Sequence, residues 1–339
     1  LNVIGVEGGV GGMMLGAQMA GFVPIASYDT RGVFFQGETF ARNFRGVAHT
    51  KVTDKNRGTA MLELGHLRDR ADLAVCMPSC GSYSNYVTTN YSEKRRASCE
   101  SINSCLSMLK VLQPRAFILE NLPKSLNAFT VFDYMEALPG YRIANTVVRY
   151  SDFGVPSQRK RLLVVGVRDE VDFGLKTPKT VEHPPTTRDA FRGLSADADV
   201  PELQHVHRDA EYFNPKKAGV EKWLRSHVPD GKEVDRLLAI YRKRPGRYLI
   251  EAQSVVKGPW FYGRGVAKWD KPCLGITGGE DVFHPDTLRP LTIRERARSL
   301  GFPDTFVFDA SYSVMLKHTG NNIPPPPIRH VAAQLKKVL

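Results

Sequence analysis

Val3-Ile4-Gly5-Val6-Glu7-Gly8-Gly9-Val10-Gly11-Gly12-Met13 decides how this chain is read. Val3 to Val6 is a short apolar strand, residues 7–12 are a glycine turn, and Met13 to Ala20 is a helix that Gly21 stops. Such a turn lets a ligand approach the backbone closely and aims a helix N-terminus at it. Alone, it is equally an ordinary strand-to-helix connection. The second strand, Phe22 to Tyr28, ends at Asp29, about 20 residues after the glycines, the spacing of an acid that accepts hydrogen bonds from ribose hydroxyls. The same residue would serve as the N-cap of a helix from Arg31 to Phe44. The fold class is therefore α/β, a Rossmann-like doubly wound sheet.

Further along, three strand ends carry chemistry. Leu73 to Met77 runs into Pro78-Ser79-Cys80-Gly81, which presents a thiol in a small, flexible loop. Ala116-Phe117-Ile118-Leu119 runs into Glu120-Asn121-Leu122-Pro123, and Ser157-Gln158-Arg159-Lys160-Arg161 leads into a strand ending at Val167. In open α/β sheets ligands bind at strand ends. A nucleophile, a proton donor or acceptor and two fixed cations would thus converge on one small planar substrate.

Bulk composition sets the partner class. The chain has 339 residues, 42% hydrophobic and 24% charged, an ordinary globular composition, with a net charge of +12. That charge favours a polyanion, nucleic acid before membrane. Neither a signal peptide nor a membrane span is read in it. The five cysteines, Cys76, Cys80, Cys99, Cys105 and Cys273, show no paired zinc-type spacing, so no structural metal is expected and the compartment is reducing. Residues 45–70 give no clear element. Residues 81–97 read as a long polar loop with Tyr83, Tyr86, Tyr91, Lys94, Arg95 and Arg96, suited to a lid over nucleic acid. Ile102, Cys105, Leu106 and Leu109 recur at helical spacing, which predicts a helix over 98–112 with Cys105 buried. Helices follow near 133–138, 216–227 and 232–243, with a strand over 142–148. After Arg168 the chain becomes charged. The basic run around Arg244 precedes Trp260, Phe261 and Tyr262, as expected of a smaller contact domain.

Together these motifs resemble the DNA cytosine-C5 methyltransferases over nearly the whole chain. The longest match is Arg289-Pro290-Leu291-Thr292-Ile293-Arg294-Glu295-Arg296-Ala297-Arg298 with Gly301-Phe302-Pro303-Asp304, similar to the family's ninth motif. Phe153-Gly154-Val155-Pro156 with Arg159 and Arg161 resembles the eighth, Glu120-Asn121-Leu122 the sixth, and Ser79-Cys80 with Tyr83-Ser84 the fourth. The resemblance implies that Cys80 adds to cytosine C6, that Glu120 protonates N3, and that Arg159 and Arg161 hold the cysteine region and the base O2. It implies S-adenosyl-L-methionine as methyl donor, held by Gly8, Gly9, Gly11, Gly12, Asp29 and Asn321. Ser84, Asn121, Arg95, Arg96 and Arg244 would meet the substrate, double-stranded DNA with its target base flipped out. Residues 1–175 would form the catalytic domain and 176–310 the smaller part with the target-recognition region. Residues 311–339 would return to the catalytic domain. A monomer in the bacterial or phage-infected cytoplasm, at the nucleoid, is the expected setting.

Departures cluster on the donor side. Glu7 stands where the family has an aromatic residue, Gly5 where it has Asp, and Lys51 near its third-motif Asp, with Asp54 a weak substitute. Ser79, Gly81 and Ser157 replace a Pro and two Gln. Other readings are an RNA-methylating relative, a DNA-binding paralogue without activity, and, for the glycine turn alone, a nicotinamide dehydrogenase.

Overall fold

In the computed structural model, the described residues are 1–83, 91–178, 180–194, 224–225, 228–243, 251, 265–279 and 282–339. The expected contacts Ser84 and Arg244, the side chains of Arg95 and Arg96, the aromatic run 260–262 and most of the helix expected over 216–227 lie outside them.

Seven strands make the central sheet: β1 (Asn2–Val6), β2 (Val23–Asp29), β3 (Ala48–Lys51), β4 (Leu73–Cys76), β5 (Ala116–Asn121), β6 (Tyr141–Arg149) and β7 (Lys160–Arg168). Their order is β3-β2-β1-β4-β5-β7-β6. All neighbours from β3 to β5 pair in parallel, and β7 runs antiparallel to both β5 and β6. This orientation decides where the chemistry sits. The C-terminal ends of β1, β2, β3, β4 and β5 and the N-terminal end of β7 share one edge, bringing Glu7, Asp29, Lys51, Cys80, Glu120 and Arg161 to the same rim.

Alternation along the buried strands divides the core in two. Val3, Leu73, Val75, Ile118, Leu163 and Val165 face one side. There they meet α1 (Gly12–Met19) and a C-terminal helix over Pro325–Leu335, through Met13, Met14, Ile328, Val331 and Leu335. Ile4, Val6, Ala74, Cys76, Phe117, Leu119, Leu162 and Val164 face the other, under α3 (Arg57–His66), α4 (Tyr91–Leu112) and α5 (Val131–Ala137). Fully burying one such aliphatic side chain stabilises by about 1.5–3 kcal/mol, so this two-sided burial fixes the strand register. Cys105 is buried among them, as its helical spacing predicts.

Three local expectations change. The helix expected from Arg31 to Phe44 is a 3₁₀ turn, Gly32–Phe35, and a short α2 (Thr39–Asn43). Gly37 breaks it, with φ +115°, pressed against Asp309, whose carbonyl accepts from Glu38 N and Thr39 Oγ1. Tertiary contacts thus override helical pattern. The helix expected over 98–112 starts earlier, at Tyr91, because Glu93, Lys94, Arg95, Arg96 and Ala97 are strong helix formers, so polarity alone does not make a loop. The unplaced region 45–70 contains β3 and α3.

Beyond the sheet lie α6 (Thr187–Phe191), α7 (Gly231–Lys243), a two-stranded parallel pair β8 (Gly265–Val266) and β9 (Val282–Phe283), α8 (Ile293–Ser299) and α9 (Tyr312–Gly320), ahead of the C-terminal α10. Thr292 caps α8 in a capping box with Glu295, and Glu295 also holds Arg289 at 2.8 Å. Buried Arg296 donates to Gly279 O at 2.9 Å and Thr319 Oγ1 at 3.0 Å, tying α8 to α9. The run of arginines at 289–298 is therefore an internal brace. No helix among the described residues is long and apolar enough to cross a membrane.

Candidate active site

Cys80 sits in the turn after β4. Ser79 N–H donates to Ser101 Oγ of α4 at 2.8 Å, and Tyr83 N–H donates to Cys80 O at 3.1 Å, so the turn is fastened on both sides of the thiol. Cys80 is half-buried while Cys76 and Cys105 are buried. Burial pushes its pKa above the ordinary thiol value, and the guanidiniums of Arg161, Arg159 and Arg31 pull it back. Glu120, at the end of β5, is buried, and Arg161 Nε lies 2.8 Å from its Oε1. Desolvation raises the Glu120 pKa, with Arg161 and then Arg159 opposing it. An upward shift is the direction that suits a carboxyl asked to deliver a proton.

Arg159 and Arg161 enter the rim from the start of β7. Arg159 Nη1 donates to Gly320 O at 3.0 Å, linking the thiol side to the segment carrying Asn321. Burial and the neighbouring Arg161 lower the Arg159 pKa to about 10, so it remains a cation at neutral pH. Asn121 follows Glu120. Its Oδ1 accepts from Leu122 N at 2.8 Å, while its buried Nδ2 has no partner among the described residues. Cys80, Glu120, Arg159 and Arg161 therefore form one electrostatically connected group.

The donor side is built on the glycine turn. Gly9 (φ +61°) and Gly11 (φ +99°) adopt the left-handed region, and a Cβ on either would run into Met77 or Phe44. Only glycine fits there, so the turn packs its backbone closely against Met77 and Phe44 at the N-terminus of α1. Gly8 and Gly12 complete it, with Gly12 packed against Asn322 Oδ1 and Ile323 O. Asn322 is buried, with an unpartnered Nδ2 among the described residues, whereas Asn321 is exposed beside Gly278. Asp29 accepts from Gly9 N at 2.8 Å and Arg31 N at 2.7 Å, so it clips the turn to the end of β2. Backbone N–H groups at a helix N-terminus with an acid at the end of the neighbouring strand are the chemistry expected of a site for an adenosyl cofactor. Lys51 closes β3, and Asp54 is exposed beside Arg57.

Four residues here are not among the expected site residues, and the sequence marks Glu7 only as a departure from the family pattern. Ser101 orients the thiol turn from α4. Tyr150 is buried, its ring 6.0 Å below the Arg159 guanidinium, and its hydroxyl has no partner among the described residues. Glu7 and Arg31 form an ion pair at 3.2 Å within the donor rim. Ser101 and Tyr150 carry no motif signal. Glu7 and Arg31 could have been found as charged residues beside a glycine turn and an acidic strand end. Among the described residues no cluster of His, Cys, Asp and Glu could hold a metal ion.

Comparison with known proteins gives the family and the fold. Residues 1–337 match the sequence profile of the C-5 cytosine-specific DNA methylases. The type II methyltransferase M1.HphI of Haemophilus parahaemolyticus is 25% identical over 354 aligned positions, covering 100% of this chain and 87% of that protein. M.Eco47II of Escherichia coli is 29% identical over 230, covering 63% of this chain and 52% of that relative. A crystal structure of an E. coli prophage-encoded DNA modification methyltransferase superposes with a TM-score of 0.67 at 20% identity, covering 100% of this chain and 99% of its own. S. pombe Dnmt2 methyltransferase superposes with a TM-score of 0.59 at 15% identity, covering 100% and 98%. These likenesses establish the fold, and the match over residues 1–337 establishes the family: the chain belongs to the C-5 cytosine-specific DNA methylases, enzymes that use S-adenosylmethionine as methyl donor.

Proposed function

We propose that this protein methylates C5 of a flipped-out cytosine in double-stranded DNA through a covalent bond between Cys80 and C6. The observation that carries the reading is the convergence of Cys80, Glu120, Arg159 and Arg161 on one rim, with Glu120 and Arg161 paired at 2.8 Å. Cytosine C5 is too weak a nucleophile to accept a methyl group unaided. Addition of the Cys80 thiolate to C6 breaks the C5–C6 π bond, and proton delivery from Glu120 to N3 neutralises the ring, leaving an enamine at C5. Arg161 both orients Glu120 and holds positive charge beside the base, and Arg159 does so from the donor side. When bound, S-adenosylmethionine supplies an electrophilic methyl group to C5. A base then takes the C5 proton, the Cys80 thiolate leaves C6, and the N3 proton returns to Glu120, which restores the aromatic ring and resets both groups.

Because a stacked base cannot reach a thiol in this rim, the target must leave the duplex. On this reading residues 176–310 carry target recognition, the basic residues Arg95, Arg96 and Arg244 meet phosphates, and the enzyme acts as a monomer at the nucleoid, within a restriction-modification or phage setting. Gly8, Gly9, Gly11, Gly12, Asp29 and Asn321 would hold the donor. DNA containing 5-fluorocytosine tests the covalent step. The carbon–fluorine bond cannot be lost in place of the proton, so wild type with donor is expected to form a complex that survives denaturing gels, and Cys80→Ser none. A trapped complex in Cys80→Ser would move the nucleophile elsewhere. A wild type that traps only fluorinated RNA would make the substrate RNA, read through its 2′-hydroxyls.

A further inference from the structure

The Asp29 carboxylate is full. Gly9 N and Arg31 N donate to it from the backbone, and the Arg31 side chain adds Nε to Oδ1 at 3.2 Å and Nη2 to Oδ2 at 2.9 Å. A carboxylate offers about four acceptor positions, and these four donors take them. Resting on the reading above that Asp29 receives the donor's ribose, this arrangement poses a conflict, since a ribose diol brings two O–H donors of its own. The two backbone donors are fixed by the turn. The two from Arg31 are on a side chain that can turn away.

Arg31 also has somewhere else to remain. Its Nη2 donates to Glu7 O at 2.6 Å, its Nε lies 3.2 Å from Glu7 Oε2, and its guanidinium covers the Phe34 ring at 4.3 Å. Glu7 in turn is held by Thr30, whose Oγ1 donates to Oε1 at 2.5 Å. We propose that Arg31 is a latch on the ribose acceptor, released from Asp29 onto Glu7 when the donor binds, so that Arg31 sets donor affinity. The position of Glu7 follows from this: a carboxylate there gives the displaced cation a partner inside the rim.

The latch lowers apparent affinity by the fraction of molecules in which Asp29 is free. Calorimetric titration with S-adenosylhomocysteine of wild type, Arg31→Gln, Arg31→Lys and Asp29→Asn tests it without turnover. Arg31→Gln is expected to bind about ten-fold more tightly, the gain when a competent fraction of about one in ten becomes the whole population. Stopped-flow binding should put that gain in the association rate. Arg31→Lys keeps the charge but loses the fork and should fall between. If Arg31→Gln binds no better than wild type while Asp29→Asn weakens, the latch is wrong and the ribose reading stands. If Asp29→Asn binds as wild type, the ribose reading falls and the latch with it. Should Arg31→Gln not fold, an Arg31→Lys affinity at or below that of wild type overturns the proposal.

Discussion

Arg161 Nε lies 2.8 Å from Glu120 Oε1, across the antiparallel register that sets Glu120 opposite Leu163. The antiparallel strand β7 is what makes this pair. A parallel strand in its place would carry its N-terminus, and the arginine, to the opposite edge of the sheet. Removing one member of a buried ion pair costs about 3–5 kcal/mol because the other charge is left stranded. Arg161→Ala is expected to lower stability by several kcal/mol on that scale, measured as the shift in urea midpoint. An unchanged midpoint would show that the pair is solvated.

The same cation acts on Cys80. Burial holds the Cys80 pKa above its ordinary value and Arg161 opposes that more than the other arginines do. Alkylation of Cys80 by iodoacetamide, followed on its peptide by mass spectrometry, should therefore accelerate with rising pH to a midpoint above that of a free thiol. In Arg161→Ala that midpoint should move higher still, slowing reaction at pH 8. A midpoint that falls in the variant would contradict the assigned sign.

Glu7 gives a pH signature in stability. Burial first, then the charge of Asp29, raise its pKa from 4.5 to about 7. A carboxyl with a raised folded pKa contributes stability that is fully present below its unfolded value and is lost as pH rises through its folded value. The window is thus about pH 4.5 to 7. Glu7→Gln, which fixes the neutral form, should melt close to wild type at pH 5 and above it at pH 8. The upper bound on the difference is about 3 kcal/mol. An equal offset at both pH values would mean that Glu7 does not titrate in this window.

Ser101 is a positioning residue, acting on the thiol through Ser79 N at 2.8 Å. Ser101→Ala frees the turn without touching the donor cradle, so kcat is expected to fall about ten-fold with the donor KM unchanged, as small misplacements of a reacting group do. Ser101→Thr, which restores the hydroxyl, should recover most of the loss. A fall in Ser101→Ala that Ser101→Thr leaves unrepaired would argue for a packing defect instead.

The sheet was legible because its signals are local. Glycines at positions 8, 9, 11 and 12, apolar runs at Leu73 and Ala116, and an acid at Asp29 each mark a strand end, whereas the strand order and the antiparallel β7 are set by pairing that no local signal records. What stayed hidden is set by contacts distant in sequence. Gly37 turns because Asp309 lies against it, and α4 extends back to Tyr91 on helix propensity that a charged surface obscures. Tyr150 sits against Arg159 and Ser101 against the Cys80 turn through strand order and helix packing, which no motif records. Asp29 illustrates the middle case. Its place was readable, yet its two sequence roles, ribose acceptor and cap, could not show that Arg31 occupies it from the side.

The central claim is methyl transfer that depends on Cys80. The most direct test incubates unmethylated DNA with labelled S-adenosylmethionine and resolves the product bases by mass spectrometry, comparing wild type with Cys80→Ser. The account predicts 5-methylcytosine with wild type and none with the variant. Equal 5-methylcytosine from both proteins, or no modified base from wild type at saturating donor, would contradict it.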